Sequence, residues 1–113
     1  MGPTYNFNLS HLPARTVKPR ATGTTMVMDK GISLRQAEDF VNTSAEYVDF
    51  VKLGFGTSII SKNVKDKIKL YREAGMKVYV GGTLFEAFVI RNQFDEYRKY
   101  IDDLGLDCAE VSD

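Results

Sequence analysis

The stretch Val48-Asp49-Phe50-Val51-Lys52-Leu53-Gly54-Phe55-Gly56-Thr57-Ser58 decides how the chain is read. Val48, Phe50, Val51 and Leu53 form the near-continuous apolar run of a parallel strand covered on both faces, rather than the alternation of a half-exposed strand. Lys52 interrupts that run. An unpaired ammonium is costly to bury, so a lysine near the end of such a strand must reach water, an anion or a carboxylate. The glycines at 54 and 56 let backbone approach a ligand, and Thr57 and Ser58 add hydroxyl donors. The plain structural alternative is a lysine that snorkels to the rim beside a flexible loop.

Outward from this stretch the chain repeats a unit of about 30 residues, the length of a strand, a helix and their connections. Upstream, Thr24–Met28 is an expected strand, followed by Asp29-Lys30-Gly31 as its turn. Ser33 and Gln36 form a capping box, and Leu34, Ala37, Phe40 and Val41 make one apolar helix face. Downstream, a helix is expected over 62–74, with Val64, Ile68 and Tyr71 inside, lysines outside and Gly75 ending it. Residues 77–81 are the third strand. Thr83 and Glu86 read as a second capping box, the helix breaks near Asn92-Gln93 and resumes through Phe94, Tyr97, Ile101 and Leu104, and 107–111 is a fourth strand. Residues 1–22 read as an arm broken by Pro3, Pro13 and Pro19, carrying His11, Arg15, Lys18 and Arg20.

Strands alternating with helices predict a parallel α/β sheet with right-handed crossovers, placed in residues 23–113. Four units are half of an eight-stranded (β/α)8 barrel, which takes roughly 250 residues, so a half barrel that stops short of a further loop and helix is expected. Its inward faces, taken to include Val27, Val51 and Val80, would lack the opposite half of their core.

Composition narrows the function classes. Fifteen basic and fifteen acidic side chains give a formal net charge of zero, which offers no general attraction to nucleic acid or to an anionic membrane. A single cysteine, Cys108, excludes an intramolecular disulfide, and with one histidine there is no Cys/His zinc set. Cys108 reads as a small buried hydrophobe. No stretch approaches the roughly 18 apolar residues of a membrane span, and no apolar signal core is visible at the start, so the cytoplasm is the expected compartment.

In this class of fold the loops at the C-terminal ends of the strands gather over one face. Those ends carry Asp29, Lys52 with the Gly54–Ser58 loop, Gly81-Gly82-Thr83 with Glu86, and Glu110 with Asp113. One lysine, several carboxylates and two glycine-rich turns suit a phosphorylated acid held with a divalent cation. Each also has a structural reading: Glu86 as the second member of its capping box, Asp29 as a turn residue. Glu110, inside an apolar strand, needs a partner such as Lys52 or a metal.

The strings K-P-R-A-T-G-T-T-M-V-M-D-K-G-I-S at 18–33, V-D-F-V-K-L-G-F-G-T-S at 48–58, G-G-T-L-F-E at 81–86 and A-E-V-S-D at 109–113 together resemble the phosphosulfolactate synthase family. The resemblance runs from about Leu12 to the last residue. It implies a (β/α)8 barrel whose complete form uses Mg2+ to add sulfite to phosphoenolpyruvate, giving 2-phospho-3-sulfolactate on the way to coenzyme M or to sulfolactate. It also implies that the chain is the N-terminal half of such a barrel, inactive by itself. Lys52 and Glu110 are then the expected catalytic residues, and Glu86, Glu110 and Asp29 the expected metal ligands, with Asp113 a weaker candidate. Arg20, Gly54, Gly56, Thr57 and Gly82 are expected to bind the anionic substrate groups. Two other readings stay open: another barrel enzyme acting on a phosphorylated carboxylic acid, and a non-catalytic half barrel. In the second, two copies cover one another's open edges, and a homo-oligomer is expected on those grounds.

Overall fold

The computed structural model describes residues 6–7 and 9–112. Four strands, β1 (Met26–Asp29), β2 (Phe50–Leu53), β3 (Lys77–Val80) and β4 (Cys108–Ala109), form one parallel sheet in the order β1-β2-β3-β4. Chain order equals spatial order, as in one half of a (β/α)8 barrel. The register aligns Met28, Lys52, Tyr79 and Cys108 in one row, and Asp29, Leu53, Val80 and Ala109 in the next.

The crossovers are α1 (Leu34–Ser44), followed by a 3-10 turn (Ala45–Tyr47), then α2 (Thr57–Ile60) and α3 (Val64–Glu73), then α4 (Gly82–Val89) and α5 (Phe94–Leu104). The capping box at the start of α1 forms as its sequence predicts: Ser33 Oγ accepts from Gln36 N, and Gln36 Oε1 accepts from Ser33 N. Gly75, with φ +87, follows the end of α3 and turns the chain back into β3, a conformation that a side chain would strain. The expected break near Asn92-Gln93 separates α4 from α5, with Asn92 at φ 55. The second capping box does not form. Gly81 occupies the N-cap of α4 without a side-chain cap, and Glu86 turns elsewhere. Residues 54–58 are also more ordered than a flexible loop, since Thr57 already begins α2.

The core lies between the sheet and its helices. Val51, Val78 and Val80 are 0–1% exposed and pack with Ala37, Ile68, Tyr71 and Leu84. This corrects the expected strand parity: Val27, Val51 and Val80 face the helices, not the barrel interior. The other face carries Met26, Phe50, Tyr79, Cys108 and Glu110 around an open cavity of about 330 Å3. Met26 and Met28 are 48% and 45% exposed there. Cys108 is half-buried rather than fully packed, and burial raises its thiol above the ordinary range.

α3 departs from its reading in one residue. Lys67 is 1% exposed, not on the outer face, and its ammonium donates to Asp29 Oδ2 at 2.8 Å and to the Ile32 carbonyl at 2.8 Å. Tyr71 OH donates to the same Asp29 oxygen, while Asp29 Oδ1 accepts from the amides of Gly31 and Ile32. A buried carboxylate is tolerable only with this many partners. Burial alone would raise the Asp29 pKa, but Lys67 and the other donors more than offset it and hold the carboxyl below its usual range. The same burial and the Asp29 charge push the Tyr71 hydroxyl far upward.

At the N-terminal end of the sheet, the arm contains no helix or strand among the described residues before Met26. Lys18 donates to the carbonyls of Ala74 and Gly75, and Arg15 lies over the Tyr47 ring.

Candidate active site

The C-terminal ends of β2, β3 and β4 bring one linked set of groups together. Lys52 rises from β2 on the open face, and its ammonium donates to Glu110 Oε1 at 3.2 Å. The same oxygen accepts from the Gly82 amide at 3.0 Å. The Gly82 amide, and after it the Lys52 ammonium, hold the Glu110 carboxyl below its ordinary pKa. One oxygen of Glu110 therefore serves both an ammonium and the first turn of α4, while its side chain stays 46% exposed.

Two glycines make that approach possible. A Cβ on Gly81 would lie 2.6 Å from Lys52 Cε, and one on Gly82 would lie 2.5 Å from Ser112 Oγ. Both are closer than side-chain atoms pack, so the Gly81-Gly82 turn leaves space that Lys52 and Ser112 fill. Ser112 in turn donates to Glu86 Oε2 at 2.7 Å. Lys52, Glu110, Gly82, Ser112 and Glu86 thus form a continuous chain of contacts across three strand ends. Ser112 was not singled out in the sequence. Its alternation with Glu110 along an extended segment, which puts the two side chains on one side, was the available signal.

The other expected site residues lie outside this set. Arg20 is at the opposite end of the sheet, where its guanidinium, 1% exposed, pairs with Asp49 at 2.9 Å and donates to the Glu46 and Thr16 carbonyls. Asp49 also accepts from Thr25 N. Although burial opposes ionisation of Asp49, the Thr25 amide and Arg20 hold its pKa low. Arg20 therefore ties the arm to the sheet rather than facing the strand ends that carry Lys52. Asp29 points into the helix layer, where Lys67, Tyr71 and two amides take both its oxygens, so it does not join Glu86 and Glu110.

The Gly54 amide donates to the Asp29 carbonyl at 2.7 Å, and the Thr57 hydroxyl to the Gly54 carbonyl at 2.8 Å. These donors brace the turn and are not free for a ligand. Gly56 has φ +77 with open space around its Cβ position, so glycine there serves the backbone. Asp113 lies outside the described residues. Among the described residues no three His, Cys, Asp or Glu side chains converge as a metal cluster. Glu86 and Glu110 each keep one carboxylate oxygen without a described partner, a donor set that matches Mg2+ bound through one or two carboxylates with water and substrate.

The sequence profile of the (2R)-phospho-3-sulfolactate synthase family matches residues 13–113. The chain belongs to the phosphosulfolactate synthase family. Among curated members named phosphosulfolactate synthase, that of Methanocaldococcus jannaschii is 44% identical over 93 residues, covering 80% of this chain and 37% of the relative. The Methanothermobacter thermautotrophicus member is 40% identical over 102 residues, covering 88% of this chain and 40% of the relative. The Bacillus subtilis phosphosulfolactate synthase is 38% identical over 101 residues, covering 89% and 40%. The chain therefore spans about 40% of the length of these phosphosulfolactate synthases. Among the described residues no helix is long and apolar enough to cross a membrane.

Proposed function

We propose that this chain contributes four of the eight strands of a phosphosulfolactate synthase barrel, and that the complete barrel adds sulfite to phosphoenolpyruvate to give 2-phospho-3-sulfolactate. The observation that carries the reading is Lys52, held by Glu110 and flanked by the Gly81-Gly82 turn at the C-terminal end of the sheet. Sulfite attack at C3 of the enol phosphate moves an electron pair onto C2 and its carboxylate, and a proton must then reach C2.

An ammonium has three donors. With one on Glu110, Lys52 has two for the oxygens of the substrate carboxylate, where charge grows during the attack. Glu110 fixes the direction of that ammonium. Glu86 and Glu110 are the side chains proposed to hold Mg2+, which when bound would draw off negative charge as a Lewis acid. Two anionic substrates meeting one lysine and two carboxylates call for that added positive charge. Family membership supports the reading, as does the placement of this set at the strand ends where barrel enzymes carry their chemistry. Cytoplasmic location and the supply of sulfolactate or coenzyme M precursors belong to the same proposal.

The test uses the complete barrel. Lys52→Met roughly keeps the volume and removes the charge. Turnover should fall by more than about tenfold, roughly 1.4 kcal/mol of transition-state stabilisation, with the circular dichroism unchanged. A smaller loss returns Lys52 to a structural role. Chelation of divalent cations should abolish turnover, and undiminished product formation after chelation would remove Mg2+ from the account.

A further inference from the structure

The segment after β4 makes two contacts with the same glycine. Glu110 accepts from the Gly82 amide, and Ser112 fills the space where a Gly82 side chain would stand. A Cβ there would lie 2.5 Å from Ser112 Oγ and also 2.7 Å from Ser112 Cβ. Because Ser112 Cβ is itself in the way, rotating the hydroxyl aside would not relieve the contact; the whole residue would have to move. Ser112 is thus keyed into the α4 N-terminus, one turn from Glu86, whose Oε2 takes its hydroxyl at 2.7 Å. The second oxygens of Glu86 and Glu110 have no hydrogen-bond partner among the described residues.

We infer that Ser112 is a positioning residue that turns the Glu86 carboxylate toward the end of the sheet shared with Glu110, so that both offer their uncommitted oxygens to one divalent cation. The inference rests on the proposal above that Glu86 and Glu110 hold that cation. A glutamate side chain on a helix surface has several rotamers of similar energy, and a ligand that must be ordered on binding lowers affinity. The Ser112 hydroxyl removes that freedom beforehand, as outer partners of metal-binding carboxylates do. Gly82 belongs to the same device, because only a residue without Cβ leaves Ser112 its place.

Mn2+ binding to this chain, followed by loss of the free-ion electron paramagnetic resonance signal, tests the inference without any turnover. Ser112→Ala should weaken Mn2+ binding by about tenfold, whereas Ser112→Thr, which keeps the hydroxyl, should stay within about twofold of the parent chain. Gly82→Ala should reproduce the Ser112→Ala loss, and combining the two should add little, since both remove one contact. If Glu86→Gln weakens binding but Ser112→Ala does not, the positioning role is overturned and the ligand assignment stands. If the parent chain takes up no Mn2+ at millimolar concentration, or Glu86→Gln changes nothing, the ligand assignment fails and the inference with it. Should Ser112→Ala fail to fold by circular dichroism, a folded Gly82→Ala chain with undiminished affinity overturns the inference equally.

Discussion

Gly81→Ala separates the role of the site from the stability of the fold. Gly81 has φ −83 and ψ 171, a region open to alanine, so the backbone accepts the substitution without strain. The added Cβ would lie 2.6 Å from Lys52 Cε and 3.2 Å from Lys52 Nζ. Ordinary carbon contacts are about 3.5–4.0 Å, so Cε must retreat by roughly 1 Å. The obstructing atom is the flexible end of a lysine side chain that is 20% exposed, and moving it costs the fold little. It costs the site more, because the ammonium leaves an oxygen it holds at 3.2 Å and loses its aim. Displacement of a positioned group by about 1 Å costs up to roughly 100-fold in rate. In the complete barrel kcat/KM for phosphoenolpyruvate should therefore fall by about 10- to 100-fold, close to the effect of Lys52→Met, with the melting temperature within a few degrees of the parent. Activity within about twofold of the parent would show that the position of Lys52 is not what the Gly-Gly turn protects.

Three further outcomes follow from the same geometry. Lys67→Met leaves Asp29 charged and buried without its ammonium and should cost about 3–5 kcal/mol at neutral pH in urea unfolding. Because the Asp29 pKa is lowered in the fold, its contribution to stability is present above the ordinary carboxylate range and lost as pH falls through the lowered value. The Lys67→Met penalty should accordingly shrink in acid, where Asp29 takes a proton, and a penalty constant with pH would contradict the ion-pair account. The open face bearing Met26 and Met28, with unpaired edges at β1 and β4, should make this chain associate in sedimentation experiments. A concentration-independent monomer with a sharp cooperative melt would refute that expectation.

Much of the fold was legible because local signals agreed with one another. Ser33 and Gln36 started α1, Gly75 closed α3, and Asn92-Gln93 divided α4 from α5, each through a backbone preference that tertiary packing left intact. The strand faces were not legible. In Val48–Leu53 each parity mixes apolar residues with one charge, Val48 and Phe50 with Lys52, Val51 and Leu53 with Asp49, so no period-two signal says that Val51 meets the helices while Phe50 and Lys52 meet the open face.

The site divided along similar lines. Lys52 and Glu110 stood out as charges within apolar strands, and the structure pairs them. Lys67 was missed among the lysines of α3, although Val64, Lys67, Ile68 and Tyr71 share the 3.6-residue spacing of the buried stripe. Once Lys67 is inside, Asp29 must answer it, which is why both oxygens of an aspartate readable as a turn residue or a metal ligand are already engaged. Arg20 was misplaced because sequence gives no direction to an arm. Its partner Asp49 precedes β2 and so draws it to the far end of the sheet.

Phosphorus-31 spectra of phosphoenolpyruvate incubated with the complete barrel and Mg2+, with and without sulfite, test the proposed activity most directly. The account predicts that the phosphoenolpyruvate resonance gives way to a new phosphate-ester resonance only when sulfite is present, and that Lys52→Met suppresses the change. Persistence of phosphoenolpyruvate with sulfite, or the same conversion without it, would contradict the account.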